Sequence, residues 1–327
     1  MKKNIERIIH LLQRFAIVLR KYPLNARAFG FSVANAMAWN YLIPTGRSPR
    51  FIRTIYRYIE KELVPVWKKY QYQSFNQSED SIIKGKFPVW ICWFQGEAAM
   101  PELVNACHES VKCNLPDYAE VKLVTLENIS EYVEIPEGII QKFQQGIISY
   151  ALYSDVLRYH LLKEHGGMWI DATIFVSSLI PSEWFERSYY TMRMPSKKCP
   201  QEPCEGNWTN FCFSGKKDCL IFQYVCDALD FFLEKKNRIP DYVFLDYILM
   251  TGYRNIPSVK ELVDAVPYNN EEIWALKGVL NNAFDEEAYK KIISNNVFHK
   301  LAHQVEYRHN TEDGKQTFYG HIAKLDR

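Results

Sequence analysis

Glycine is scarce in this chain, at 14 of 327 residues, and no glycine-rich run of the kind that cradles a phosphate occurs. No segment repeats at a fixed period and no tract is of low complexity, which excludes solenoids and fibrous arrays. Eight cysteines are present, but never as Cys-x-x-Cys, and no histidine spacing completes a zinc site. Cys199 and Cys204 form the nearest thing to a clip. Met1-Lys-Lys leads into a charged amphipathic run and not into an apolar signal core, so free thiols in a reducing, cytoplasmic compartment are expected. From Ala28 to Gly46 no residue is charged, nearly a membrane span in length, yet Ser32, Asn35, Asn40 and Pro44 interrupt it. A crossing helix is therefore not expected.

Charge is unevenly spread. Residues 1–70 hold fourteen Lys and Arg against three Asp and Glu, a balance of +11, so the remainder carries −9 to give the net +2. A basic segment on an otherwise acidic chain calls for an anionic partner. No nucleic-acid motif accompanies it, which leaves a membrane surface, with peripheral placement at the inner face of a bacterial cytoplasmic membrane. Ile5, Ile8, Leu12, Phe15 and Leu19 share a helical face, with Arg7, Arg14 and Lys21 elsewhere. That helix either lies on a bilayer or packs on the body of the protein. A second basic helix is read within Arg47–Lys69, with Ile52, Ile55, Tyr56, Ile59 and Leu63 at helical spacing. The polar run Gln71–Asp80 reads as a junction, dividing a helical region, 1–80, from a main domain, 81–327.

The main domain is arranged around Tyr150–Thr173. Leu152, Val156, Leu157, Leu161 and Leu162 mark a helix, Lys163 and His165 suit its last turn, and Gly166 suits its cap. The apolar run Met168-Trp169-Ile170 then reads as a buried strand with Asp171 at its carboxyl end, where open α/β sheets bind ligands. Asp155 and Arg158, three apart, share one helical face directed toward the same region. Before this stretch lie a strand at Phe87–Phe94, a helix at Pro101–Lys112, a strand at Val121–Leu126 and a helix from Ile139 to Gln145. That alternation is the rhythm of a parallel sheet. After it come a strand near Tyr189–Met192, a Pro/Cys/Glu-rich loop at Lys197–Asn207, a strand and turn at Asn210–Gly215, and a helix at Leu220–Lys235. The polar tail from Glu306 is read as able to fold back over the site.

Ser154-Asp155-x-x-Arg158 followed by Gly166-Gly167-x-x-x-Asp171-x-Thr173 resembles the signature of glycosyltransferase family 32, most closely its capsular polysaccharide synthesis branch. Asp241-Tyr-Val-Phe-Leu-Asp-Tyr247 and Val297-Phe-His-Lys-Leu301 are similar to two further elements of that branch. The resemblance implies a GT-A type α/β fold, a mostly parallel central sheet flanked by helices. It implies retaining transfer from a nucleotide sugar, a UDP-sugar first, to a glycan or lipid-linked oligosaccharide acceptor in capsule or O-antigen synthesis. It implies a catalytic group of Asp155, Arg158 and Asp246. Donor binding would fall to Trp93, Gln95, Asp155, Arg158, Asp171, Ser214, Gly215 and Lys300, with Gly96 near the nucleoside. A divalent ion, Mn2+ or Mg2+, would be held by Asp171, Thr173 and His299.

Where the wider family has a second aspartate this chain has Thr173, a poorer metal ligand. Either His299 and Asp171 share the ion, or Thr173 holds it through water, or dependence on metal is weaker. A host-directed glycosylating effector and a non-catalytic sugar-nucleotide-binding scaffold are the alternative readings. Hydrolysis of glycosides is disfavoured, because no carboxylate pair can be assigned the acid and base roles.

Overall fold

The computed structural model describes residues 2–43, 46–74 and 85–324. Among the described residues seven strands occur in chain order: β1 (Phe87–Cys92), β2 (Ala119–Val124), β3 (Gly167–Ile170), β4 (Ile174–Val176), β5 (Tyr189–Thr191), β6 (Cys212–Gly215) and β7 (Phe298–Lys300). Five form the central sheet in the order β2-β1-β3-β6-β5, while β4 and β7 pair antiparallel beside it. β1 is parallel to β2 and β3, and β6 is antiparallel to both β3 and β5. β1, β2, β3 and β5 therefore run one way and β6 alone runs against them. This is a mixed α/β architecture with a mostly parallel sheet, flanking helices and a helical N-terminal region, as the sequence leads one to expect.

The helix Tyr150–His165 delivers the chain to β3. Ser149 caps its start, its side chain accepting from the Leu152 amide at 3.3 Å. The five predicted apolar positions are all buried. The helix stops because Gly166 (φ 67°) and Gly167 (φ 108°) turn the chain sharply into the sheet. A Cβ on Gly167 would sit 2.4 Å from the Pro88 carbonyl oxygen of β1, so only glycine lets β3 lie against β1 there. β1 and β3 are buried along almost their whole length, as strands covered on both faces must be.

The helices Pro49–Glu62 and Val64–Tyr70 are built into the body. Phe51, Ile55, Ile59 and Leu63 belong to the same buried cluster as Val89, Val156 and Trp169. Before them stands a helical hairpin, Lys2–Phe29 and Phe31–Leu42, turned by Gly30 at φ 84°. The face marked by Leu12, Phe15 and Leu19 is exposed and does not pack on the body. Among the described residues no helix is long and apolar enough to cross a membrane. The side chains of Ile5, Arg7 and Ile8, Pro44, most of the expected junction at Gln71–Asp80, the 80/81 boundary, and the last three residues of the tail lie outside the described residues.

The rest of the tail does not cover the ligand region. Phe318, Tyr319 and Ile322 form a second apolar cluster with Leu103, Cys107 and Phe175, and Tyr319 donates to Glu102 at 2.7 Å. It is thereby packed on the helix Glu102–Cys113.

Candidate functional site

A cleft of about 740 Å3 opens at the carboxyl ends of β1 and β3. The chain passes from β1 to neighbours on its two opposite sides, β2 and β3, so this is the switch point at which α/β sheets bind ligands. The volume suits a ligand of nucleotide size. Of the predicted residues, Trp93 and Gln95 line it from the end of β1, Asp155 and Arg158 from the helix, and Asp171 and Thr173 from the end of β3. Asp246 and Lys300 complete the set.

Arg158 organises the floor. Its guanidinium lies 3.1 Å from Asp155 and 3.6 Å from Asp171, and 4.9 Å above the Trp169 ring. It also donates to the Ser154 carbonyl at 3.3 Å and to the Asn210 carbonyl. Burying a guanidinium is tolerable only with such a full set of acceptors. Asp171 accepts from Trp169 Nε1 at 2.9 Å and from Lys300 Nζ at 2.7 Å. Lys300 Nζ also donates to Thr173 Oγ1 at 2.9 Å. Burial pushes the Asp171 carboxyl up, but Lys300 and Arg158 outweigh it and hold the group below the usual carboxylate range.

The other two carboxyls are driven the opposite way. Burial, reinforced by Asp171 and only partly offset by Arg158, pushes Asp155 up to about 6. Burial, with the charges of Glu202 and Asp155 adding to it against the Trp208 hydrogen bond, pushes Asp246 up to about 7. Asp246 accepts from Trp208 Nε1 at 3.0 Å and Asn210 Nδ2 at 2.5 Å. A carboxyl whose folded pKa is raised favours the folded state most below its unfolded value of 3.8, and that contribution is lost as pH rises through about 7. Asp246→Asn is therefore expected to gain stability relative to the parent as pH rises. In urea unfolding its midpoint should exceed the parent's by more at pH 8 than at pH 5. A gap independent of pH would mean that Asp246 does not titrate in this range.

Three predicted residues are placed elsewhere. Ser214 and Gly215 sit inside the sheet, opposite Met168 and Gly167. Because β6 runs antiparallel, it is the start of β6 that meets the carboxyl end of β3, and Trp208, Thr209, Asn210 and Phe211 line the cleft instead. His299 is fully buried on β7 opposite Phe175, with Nε2 3.0 Å from Ser177 Oγ. Burial pushes it down to about 4. Successive strand residues face opposite sides, so when Lys300 enters the cleft His299 is turned into the core. The histidine that lines the cleft is His303, edge-on to Trp93 at 5.5 Å. Its only sequence signal was its position just beyond the His-Lys-Leu element.

Asp241 is committed to structure. It accepts from Arg47 Nε at 2.7 Å and from the Tyr247 hydroxyl at 3.1 Å. Arg47 also pairs with Glu202 of the cleft-lining loop at 3.1 Å. Nothing in the sequence joins Arg47 to residues so distant. In that loop Cys199 and Cys204 both line the cleft as free thiols.

The side chains at Asp171 do not fit a divalent ion gripped by two carboxylates. One Asp171 oxygen accepts from Trp169 and the other from Lys300, whose ammonium also spans to Thr173. Fixed positive charge already stands where the second aspartate of the wider pattern would direct an ion. Among the described residues, three ligand-type side chains converge only at Glu97, His108 and Glu109, outside the cleft, and there Lys112 already donates to Glu109 at 2.6 Å.

The fold is that of an α/β protein with a buried arginine flanked by carboxylates at the switch point of a mostly parallel sheet. The chain belongs to the capsular polysaccharide synthesis protein family, whose pattern matches residues 45–322. That membership points to a glycosyltransferase role. Among curated proteins none matches the chain.

Proposed function

We propose that the protein transfers a sugar, with retention of configuration, from a nucleoside diphosphate sugar to a glycan acceptor in capsule or O-antigen synthesis, a UDP-sugar being the first donor to test. The observation that carries this is the Asp155–Arg158–Asp171–Lys300 network at the sheet's switch point. Asp155 and Asp246, acceptors or donors according to protonation, suit the hydroxyls of the transferred sugar. Lys300 suits the diphosphate, and Trp93 offers an aromatic surface for the base. In the transfer the C1–O bond to the leaving diphosphate breaks while a C1–O bond to the acceptor hydroxyl forms on the same face. The hydroxyl proton passes to the leaving phosphate oxygen. Lys300, held between Asp171 and Thr173, meets the negative charge that develops there.

Thermal unfolding of the full chain against a panel of nucleotide sugars tests this reading. One donor should stand out, with about 2.7 kcal/mol of stabilisation at a hundredfold excess over Kd. Folded protein that responds to none of the panel would remove the donor site and with it the transferase.

A further inference from the structure

The helical hairpin is a strange thing to leave in water. No described side chain of the helix Lys2–Phe29 is buried before Phe29. Ile9, Leu12, Phe15 and Leu19 recur at spacings that keep them on one face, and each is 48% exposed or more. On the second helix Phe31 is 72% and Trp39 67% exposed. Scattered exposed apolar residues need no explanation, but a continuous stripe of large ones does. What buries it is indicated by charge. Residues 9–43 contain Arg14, Arg20, Lys21 and Arg27 and not one Asp or Glu. Arg50, Arg53 and Arg57 extend the basic surface, all exposed, along the helix Pro49–Glu62.

We infer that this hairpin seats on an anionic lipid bilayer, with its apolar stripe in the interfacial layer and its cations among the headgroups. An amphipathic helix with cations off the apolar face binds in this way, by buried apolar area together with attraction to anionic lipid. The acid-free, basic flank favours a surface of anionic headgroups over a protein groove, whose charges are mixed. The hairpin is held to the body at its base, where Arg238 donates to Asn25 at 2.9 Å and Lys236 to the Ala28 carbonyl at 3.2 Å. The two helices are tied by Tyr22 to Asn35 at 2.7 Å. After the hairpin the chain reaches Arg47, which pairs with Glu202 and Asp241 at the rim of the cleft. Docking therefore brings the cleft rim close to the lipid surface, where a lipid-linked acceptor would present its glycan. This last consequence rests on the transferase reading; the docking itself does not.

The test is sedimentation of the full chain with vesicles of phosphatidylglycerol and, separately, phosphatidylcholine. Binding is expected to phosphatidylglycerol, weakening with salt, and to be far weaker with phosphatidylcholine. Arg14→Gln with Arg20→Gln should lower partition by about 25-fold, roughly fivefold for each cation removed. Leu12→Ser with Phe15→Ser should weaken it on both vesicles. All four side chains lie outside the cores, so folding is retained, checked by circular dichroism. Absence of binding to phosphatidylglycerol vesicles, or binding that both double variants leave unchanged, would overturn the proposal. So would a stable dimer in solution that the Leu12/Phe15 variant converts to monomer, since a second copy would then cover the stripe. Donor binding by the soluble protein is unaffected by any of these results, so a failed docking leaves the transferase reading standing.

Discussion

Lys300→Met is expected to cut kcat by about a hundred to a thousandfold, the usual cost of removing a fixed group that meets charge developing in the transition state. KM for the donor should change far less. Lys300 reaches the cleft from β7 and touches both Asp171 and Thr173, so its ammonium is held in place before any ligand arrives. That preorganisation is what makes one charge worth so much in a partly desolvated site. Adding Mn2+ should not restore the variant, and chelating divalent ions should leave the parent's turnover unchanged. A parent enzyme silenced by chelation and revived by Mn2+ would show that an ion does the work assigned here to Lys300.

Arg158→Met should be strongly destabilising. The side chain is almost wholly buried and stands between Asp155 and Asp171. Removing the cation from a buried pair leaves charge without compensation, a loss of about 3–5 kcal/mol, with the lower end expected because Lys300 still serves Asp171. The deficit has a signed dependence on pH. Asp155 already titrates near about 6 with the guanidinium beside it, and without it the carboxyl protonates at higher pH still. Protonated Asp155 has no need of the arginine, so the deficit should shrink as pH is lowered from 8 to 5.5. Urea unfolding of parent and variant at those two values measures it. A deficit equal at both would show that the guanidinium acts there as a hydrogen-bonding wedge and not as a countercharge.

Much of the scaffold was readable from local signals. The central helix, its glycine stop and the strand behind it are specified by apolar periodicity, end-of-helix chemistry and an approach to Pro88 that only glycine permits. The helix Leu220–Lys235 agrees with its expected limits. Strand ends slipped by two residues, as at β2, because pairing with a neighbour, and not the local run, decides where a ladder stops. The lining of the cleft was legible where it sits on those elements, at Asp155, Arg158 and Asp171. It was not legible where sheet direction or strand facing decides. Ser214 was displaced in favour of Asn210 by the antiparallel sense of β6, and His299 in favour of His303 by the alternation of β7. Asp241 found its partner in Arg47 from across the chain, which no window of sequence can reveal.

The grip of Arg47 on Glu202 and Asp241 carries a lesson for anyone trimming this protein for crystals. A version starting at Pro49 would keep the apolar residues that the helix Pro49–Glu62 gives to the core, but would lose Phe29 and Val33 from that core and the Ser48 cap of the helix. It would also lose the clasp on one wall of the cleft, and that wall would drift. Weak donor binding by such a fragment would be blamed on the missing hairpin alone, although an arginine cut away beside it had held the cleft wall.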